Sequence, residues 1–137
     1  MRILAVDPGE KNIGIAISDP TGTIASPLVV LKHISRLVDA AAIADLANQN
    51  QVGIIIIGKS LDEDGASTLQ SKQADHLAEA IHQQSELQVL FWDESFSTQQ
   101  ARSARIALGT TRKKRRGNLD DLAAAIILQS YLDANVK

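Results

Sequence analysis

Residues Gly53 to Gly58 read Gly-Ile-Ile-Ile-Ile-Gly. In an extended strand, successive side chains point to opposite faces. Four apolar β-branched residues in a row therefore make both faces apolar. Such a strand must be covered on both sides, as the central strands of α/β sheets are. With 137 residues, the chain is about the size of one domain with a substantial core, and it is read as a single domain over 1–137. Aromatic residues are 3% of the chain against 45% hydrophobic overall, so the core must be built from Ile, Leu, Val and Ala.

Other segments fill in the order of elements. Arg2 to Asp7 and Ile13 to Ser18 read as paired strands joined by a Pro-Gly turn. Ile24 to Leu31 reads as a third strand, in which Pro27 requires an edge position or a bulge. Ile34, Leu37, Val38 and Ala41 are at helical spacing and predict a helix running to about Asn48. Lys59 to Ser67 is polar and reads as a loop. Ala74, Leu77, Ala78 and Ile81 predict the next helix and its buried stripe. Gln88 to Trp92 is a further strand, followed by Asp93-Glu94. Ser97 with Gln100 fits a capping box, with Gly109 as that helix's stop. Leu119 to Leu132 is helical in pattern and apolar nearly all round, which predicts a helix packed inside. The expected order is βββαβαβαα.

The absence of cysteine excludes disulfides and thiolate metal sites. No apolar run is long enough to span a membrane, so a soluble, cytoplasmic protein is expected. Charge is unevenly distributed. Arg112, Lys113, Lys114, Arg115 and Arg116 are five consecutive bases among 14 in the chain. The other nine bases face 16 acids. Basic charge gathered in one segment suits contact with a polyanion backbone, although a solvated loop has the same composition.

Three acids stand at element ends: Asp7 closes the first strand, Glu94 follows the last, and Asp120 opens the last helix. Acids at the carboxyl ends of strands line the crevice where open α/β sheets bind ligands. Carboxylates without Cys or His suit hard cations such as Mg²⁺ or Mn²⁺. A pair of such ions can activate water and stabilise a leaving oxygen. Each acid also has a structural role open to it. Asp7 could cap its turn, Glu94 could pair with an arginine, and Asp120 with Asp121 could complement a helix dipole.

Four blocks in order resemble the YqgF family, also called RuvX, of RNase H-like nucleases. They are VDPGEKNIGIAISD at Val6 to Asp19, IIIIGKSLDEDGAS at Ile54 to Ser67, WDESFST at Trp92 to Thr98, and LDDLAAAIILQSYLD at Leu119 to Asp133. Members have been described as Holliday junction resolvases and as pre-16S rRNA maturation nucleases. The resemblance implies a five-stranded mixed sheet flanked by helices. It implies catalytic and metal-holding roles for Asp7, Glu94 and Asp120, the same trio. Asp121 lies about 100° further round the helix and is not counted. Two departures stand out: Ser95 replaces the family's Arg, and Lys59-Ser60 replaces its Leu-Pro.

The function expected from this reading is phosphodiester hydrolysis with Mg²⁺ or Mn²⁺. The substrate would be precursor 16S rRNA in 5′-end maturation, with ribosomal particles as further partners. Lys11 and the bases from Arg112 to Arg116 would contact flanking phosphates. The alternatives are resolution of four-way DNA, or a non-catalytic module that binds nucleic acid or the ribosome. An ATPase of the actin and hexokinase type shares the strand, Asp-x-Gly, strand pattern but needs a second such domain. Gly9 and Gly14 are expected to serve backbone geometry, Trp92 core packing, and His33, His76 and His82 the surface.

Overall fold

The computed structural model describes residues 1–59, 69–93 and 120–135. Five strands form one mixed sheet: β1 (Arg2–Asp7), β2 (Asn12–Ser18), β3 (Ala25–Lys32), β4 (Val52–Lys59) and β5 (Gln88–Asp93). Their order in space is β3-β2-β1-β4-β5. β1, β2 and β3 form an antiparallel meander, while β4 and β5 run parallel to β1. Three helices are described: α1 (Arg36–Gln49), α2 (Leu69–His82) and α3 (Asp120–Ala134).

The isoleucine run behaves as its composition requires. Ile55, Ile56 and Ile57 are each fully buried, but they face two different cores. Ile55 and Ile57 join Leu4, Val6, Ile13 and Ile15 under α1 and α2. Ile56 joins Ile3, Ala5 and Ala16 under α3. Each fully buried Ile contributes about 1.5–3 kcal/mol relative to an exposed one. Beneath α3, Ala5 and Ala16 lie directly opposite each other on β1 and β2, and Ala124 and Ala125 meet them from the helix. Small residues on both sides let this helix lie close to the sheet.

Pro27 meets both expectations attached to it. β3 is an edge strand, and the pairing passes from Ile15↔Val29 to Ala16↔Pro27, so the strand bulges there. The α2 stripe of Ala74, Leu77, Ala78 and Ile81 is buried as its spacing predicts. The helix expected to run to about Asn48 is α1, which ends at Gln49. Ile34, Leu37 and Val38 are among the most exposed large apolar residues, and Ala41 is exposed as well. The helix starts at Arg36, capped by Ser35, whose Oγ accepts the Val38 N–H at 3.2 Å. Its buried face is Asp39, Ala40, Ile43, Ala44 and Ala47. In so alanine-rich a segment several faces carry small apolar groups, and contact with the sheet decides between them.

Of the loop expected from Lys59 to Ser67, Lys59 is the last residue of β4; the rest of it, the helix expected from Ser97 to Gly109 and the basic run all lie outside the described residues.

Candidate active site

β1, β4 and β5 are parallel, so their carboxyl ends share one end of the sheet. Asp7 is the last residue of β1. Alternation from Ile3 and Ala5 puts Asp7 on the face covered by α3. On that face its cross-strand partner in β2 is Gly14. The pairing Val6↔Ile57 puts Asp7 level with Gly58 on β4, which lies on the same face as Ile54 and Ile56. Asp7 is thus a half-buried carboxylate with a glycine on either side. Neither flanking glycine adds a side chain beside it, and both are buried.

The turn after Asp7 is held by tight packing. A Cβ on Gly9 would come 2.5 Å from the carbonyl oxygen of Asn12, so only glycine fits without backbone movement. Lys11 is exposed on this turn, and its carbonyl accepts the backbone N–H of His33 at 2.8 Å. The first acid and one expected phosphate contact therefore share one rigid turn.

The other acids are placed by their elements. α3, which covers the Asp7 face, begins at Asp120. Glu94 follows directly on β5 and, like the bases from Arg112 to Arg116, lies outside the described residues. On the α3 face Gly58 pairs with Trp92, so two strand spacings, about 10 Å, separate β1 from β5. Trp92 donates Nε1–H to Ser130 Oγ at 3.1 Å and meets Tyr131 edge-on, with ring centroids 5.3 Å apart. These contacts tie the end of β5 to α3.

Lys59 has a clear structural role. Its Nζ lies 2.8 Å from Asp75 Oδ1 and 4.8 Å from the Phe91 ring centroid. The ammonium joins α2 to the ends of β4 and β5 on the face away from Asp7.

His33 and His76 are exposed, as expected, and each has a side-chain partner. Asp39, 3% exposed, hydrogen-bonds the His33 ring through Oδ2 and accepts the Ile34 N–H at 3.0 Å through Oδ1. Arg36 Nη2 lies 3.2 Å from His76 Nδ1. Both histidines line one cleft beside Pro8 and Gly9. They are 43 residues apart in sequence, and no spacing pattern connects them. Among the described residues no group of three His, Asp or Glu side chains gathers as metal ligands. Asp7 is an oxygen donor of the type Mg²⁺ and Mn²⁺ prefer, so the described part of the trio fits a hard cation.

A mixed sheet of this order, with helices on both faces and an acid ending β1, defines an RNase H-like fold of the resolvase type. Two solved structures share it: Thermus thermophilus RuvC in complex with a Holliday junction substrate, and the fowlpox virus resolvase with Holliday junction DNA. The first matches with TM-score 0.65 at 14% identity, covering 98% of this chain and 94% of that one. The second matches with TM-score 0.61 at 19% identity, covering all of both chains. The family model described as "RuvX: Holliday junction resolvase" matches residues 1–134, and the chain belongs to that family. Among its relatives, the Thermoanaerobacter pseudethanolicus protein is 36% identical over 135 residues, spanning 98% of this chain and 97% of the relative. The Syntrophus aciditrophicus protein is 39% identical over 134 residues, spanning 98% and 89%. Both carry the name "Putative pre-16S rRNA nuclease".

Proposed function

We propose that this RuvX-family chain is a metal-dependent nuclease. It hydrolyses phosphodiester bonds of precursor 16S ribosomal RNA during maturation of the 5′ end. It does so in the cytoplasm, on RNA free or within ribosomal particles, and works as one domain over 1–137. The observation that carries this reading is the setting of Asp7. A carboxylate at the carboxyl end of β1 lies between Gly14 and Gly58, on the face where α3 begins with Asp120.

In this reading Asp7, Glu94 and Asp120 hold Mg²⁺ or Mn²⁺. The bound cation supplies Lewis acidity, lowering the pKa of water and drawing charge from phosphoryl oxygens. Asp7 presents its oxygens from a buried strand, so their position is fixed before substrate arrives. Gly14 and Gly58 leave room for the phosphate. Lys11 and the bases from Arg112 to Arg116 bind neighbouring phosphates and hold the strand in register. Similarity to relatives named for pre-16S rRNA supports RNA as the substrate.

A second reading, resolution of four-way DNA, is favoured by the description of the matching family. It requires a two-fold pair of chains to cut strands symmetrically. The test offers labelled precursor 16S rRNA and a labelled four-way junction, with Mg²⁺, Mn²⁺ or EDTA. Metal-dependent trimming of the RNA alone supports the proposal. Paired symmetric cuts in the junction alone support the second reading. Cleavage of neither, with RNA binding retained, would overturn both in favour of a binding module.

A further inference from the structure

A cleft of about 240 Å³ opens on the side of the sheet away from Asp7. Its walls include Pro8 and Gly9 from the turn, His33 and Arg36 at the start of α1, and Gln73 and His76 from α2. It shares Pro8 and Gly9 with the turn that follows Asp7, so it lies at the same end of the sheet.

The hydrogen bonds determine what the cleft can recognise. Asp39 is the acid that lines it, and both its oxygens are engaged, by His33 and by the Ile34 N–H. These bonds satisfy both of its oxygens from within the protein. Arg36 has only donors, so His76 Nδ1 accepts from it and the His76 proton sits on Nε2. His33 donates Nδ1–H to Asp39, so its Nε2 accepts in the neutral ring and donates to an anion only in the imidazolium form. The cleft thus presents a guanidinium with spare N–H groups, two imidazole edges and the Gln73 amide. Glu79 lines only the groove beyond Arg36 and His76, which bounds the positive ground on that side. The backbone carbonyl of Lys11 accepts the His33 N–H at 2.8 Å and ties that wall to the turn.

We infer that this cleft is a phosphate subsite for the nucleic-acid strand, formed by Arg36, His76 and His33. This rests on the nuclease reading of Asp7. A strand crossing the carboxyl end of β1 would place one phosphate on the Asp7 side and another, further along, in the cleft. Such a contact is sequence-independent and fixes register, so it would govern which bond reaches Asp7.

The first test titrates inorganic phosphate into metal-free protein and follows the histidine rings by NMR. The ring signals of His33 and His76 should move while those of His82 stay. Arg36→Gln should abolish the movement, and His76→Gln should abolish that of His33. In cleavage assays, Arg36→Gln should raise KM about tenfold, the value of one charged hydrogen bond. It should also reduce the salt dependence of binding by about one charge. The inference is overturned if phosphate leaves both rings unmoved or moves all three alike. It is overturned equally if Arg36→Gln keeps the wild-type KM and salt slope. Selective ring movement in a protein that cleaves nothing would sink the nuclease reading but keep an anion site. Cleavage without ring movement would do the reverse.

Discussion

Trp92 donates its indole hydrogen to Ser130 Oγ at 3.1 Å, from the penultimate residue of β5 to the middle of α3. Trp92 stands two residues before Glu94, and α3 begins with Asp120. This hydrogen bond joins the end of β5 to α3, and in the proposed reading it helps set the spacing of Glu94 and Asp120. Trp92→Phe keeps a ring against Tyr131 but leaves the Ser130 hydroxyl, 3% exposed, without that donor. The expected loss is about 1 kcal/mol of stability. Thermal denaturation should show this as a fall of about 3–5 °C. Cleavage should fall by more than stability alone explains, because the acids are no longer held at one spacing.

Gly58 lies level with Asp7 on the α3 face. A valine there suits a central strand but fills the space beside the carboxylate. Gly58→Val should fold, as judged by circular dichroism. It should cleave about a hundredfold more slowly, the scale on which a displaced reacting group is felt. An unaltered rate would mean that substrate does not approach between β1 and β5.

Gly9→Ala tests the turn. The added methyl would lie 2.5 Å from the Asn12 carbonyl oxygen, so the backbone must move. A stability loss of about 1–3 kcal/mol is expected in urea unfolding. Shifted amide resonances at Asp7 and Lys11 should accompany it.

The β2–β3 turn gives a pH dependence with a definite sign. The N–H of Ile24 foremost, then the Thr21 hydroxyl and the Thr23 N–H, hold the Asp19 carboxyl well below the usual carboxylate range. A folded value below the unfolded one adds stability above about pH 4, where the unfolded chain is already ionised. That contribution is lost as pH falls toward the folded value. Asp19→Asn should therefore be less stable than wild type at pH 6, and the gap should narrow toward pH 2–3. Urea midpoints across that range measure it; a constant gap would contradict the assignment.

Much of the fold could be read from the sequence because its signals are local. The isoleucine run, the Pro-Gly turn and the α2 stripe each follow from periodicity within a few residues. Pro27 pointed to an edge or a bulge, and β3 has both. α1 was legible as a helix, but alanines at 40, 41, 42, 44 and 47 blur its period, so the spacing did not tell which face is buried. At the site, Asp7 was legible as an acid ending a strand. The two glycines flanking it were not, since Gly14 and Gly58 become its neighbours only through strand pairing. Nor was the cleft, whose His33 and His76 are joined by the packing of α1 on α2. The buried charge of Asp39 gave no sequence signal, because its partner His33 precedes the helix.

The most direct test of the central claim compares wild type with Asp7→Asn on labelled precursor 16S rRNA, in Mg²⁺, Mn²⁺ and EDTA. Asparagine keeps the shape and one oxygen but removes the charge that would hold the cation. Wild type should cleave with either metal and stop in EDTA. Asp7→Asn should fold with the same thermal midpoint to within a few degrees and lose about a thousandfold or more in rate, on the scale of other lost electrostatic catalytic groups. Metal-dependent cleavage undiminished in Asp7→Asn would contradict the account, since the carboxylate at the end of β1 would then have no part in the chemistry.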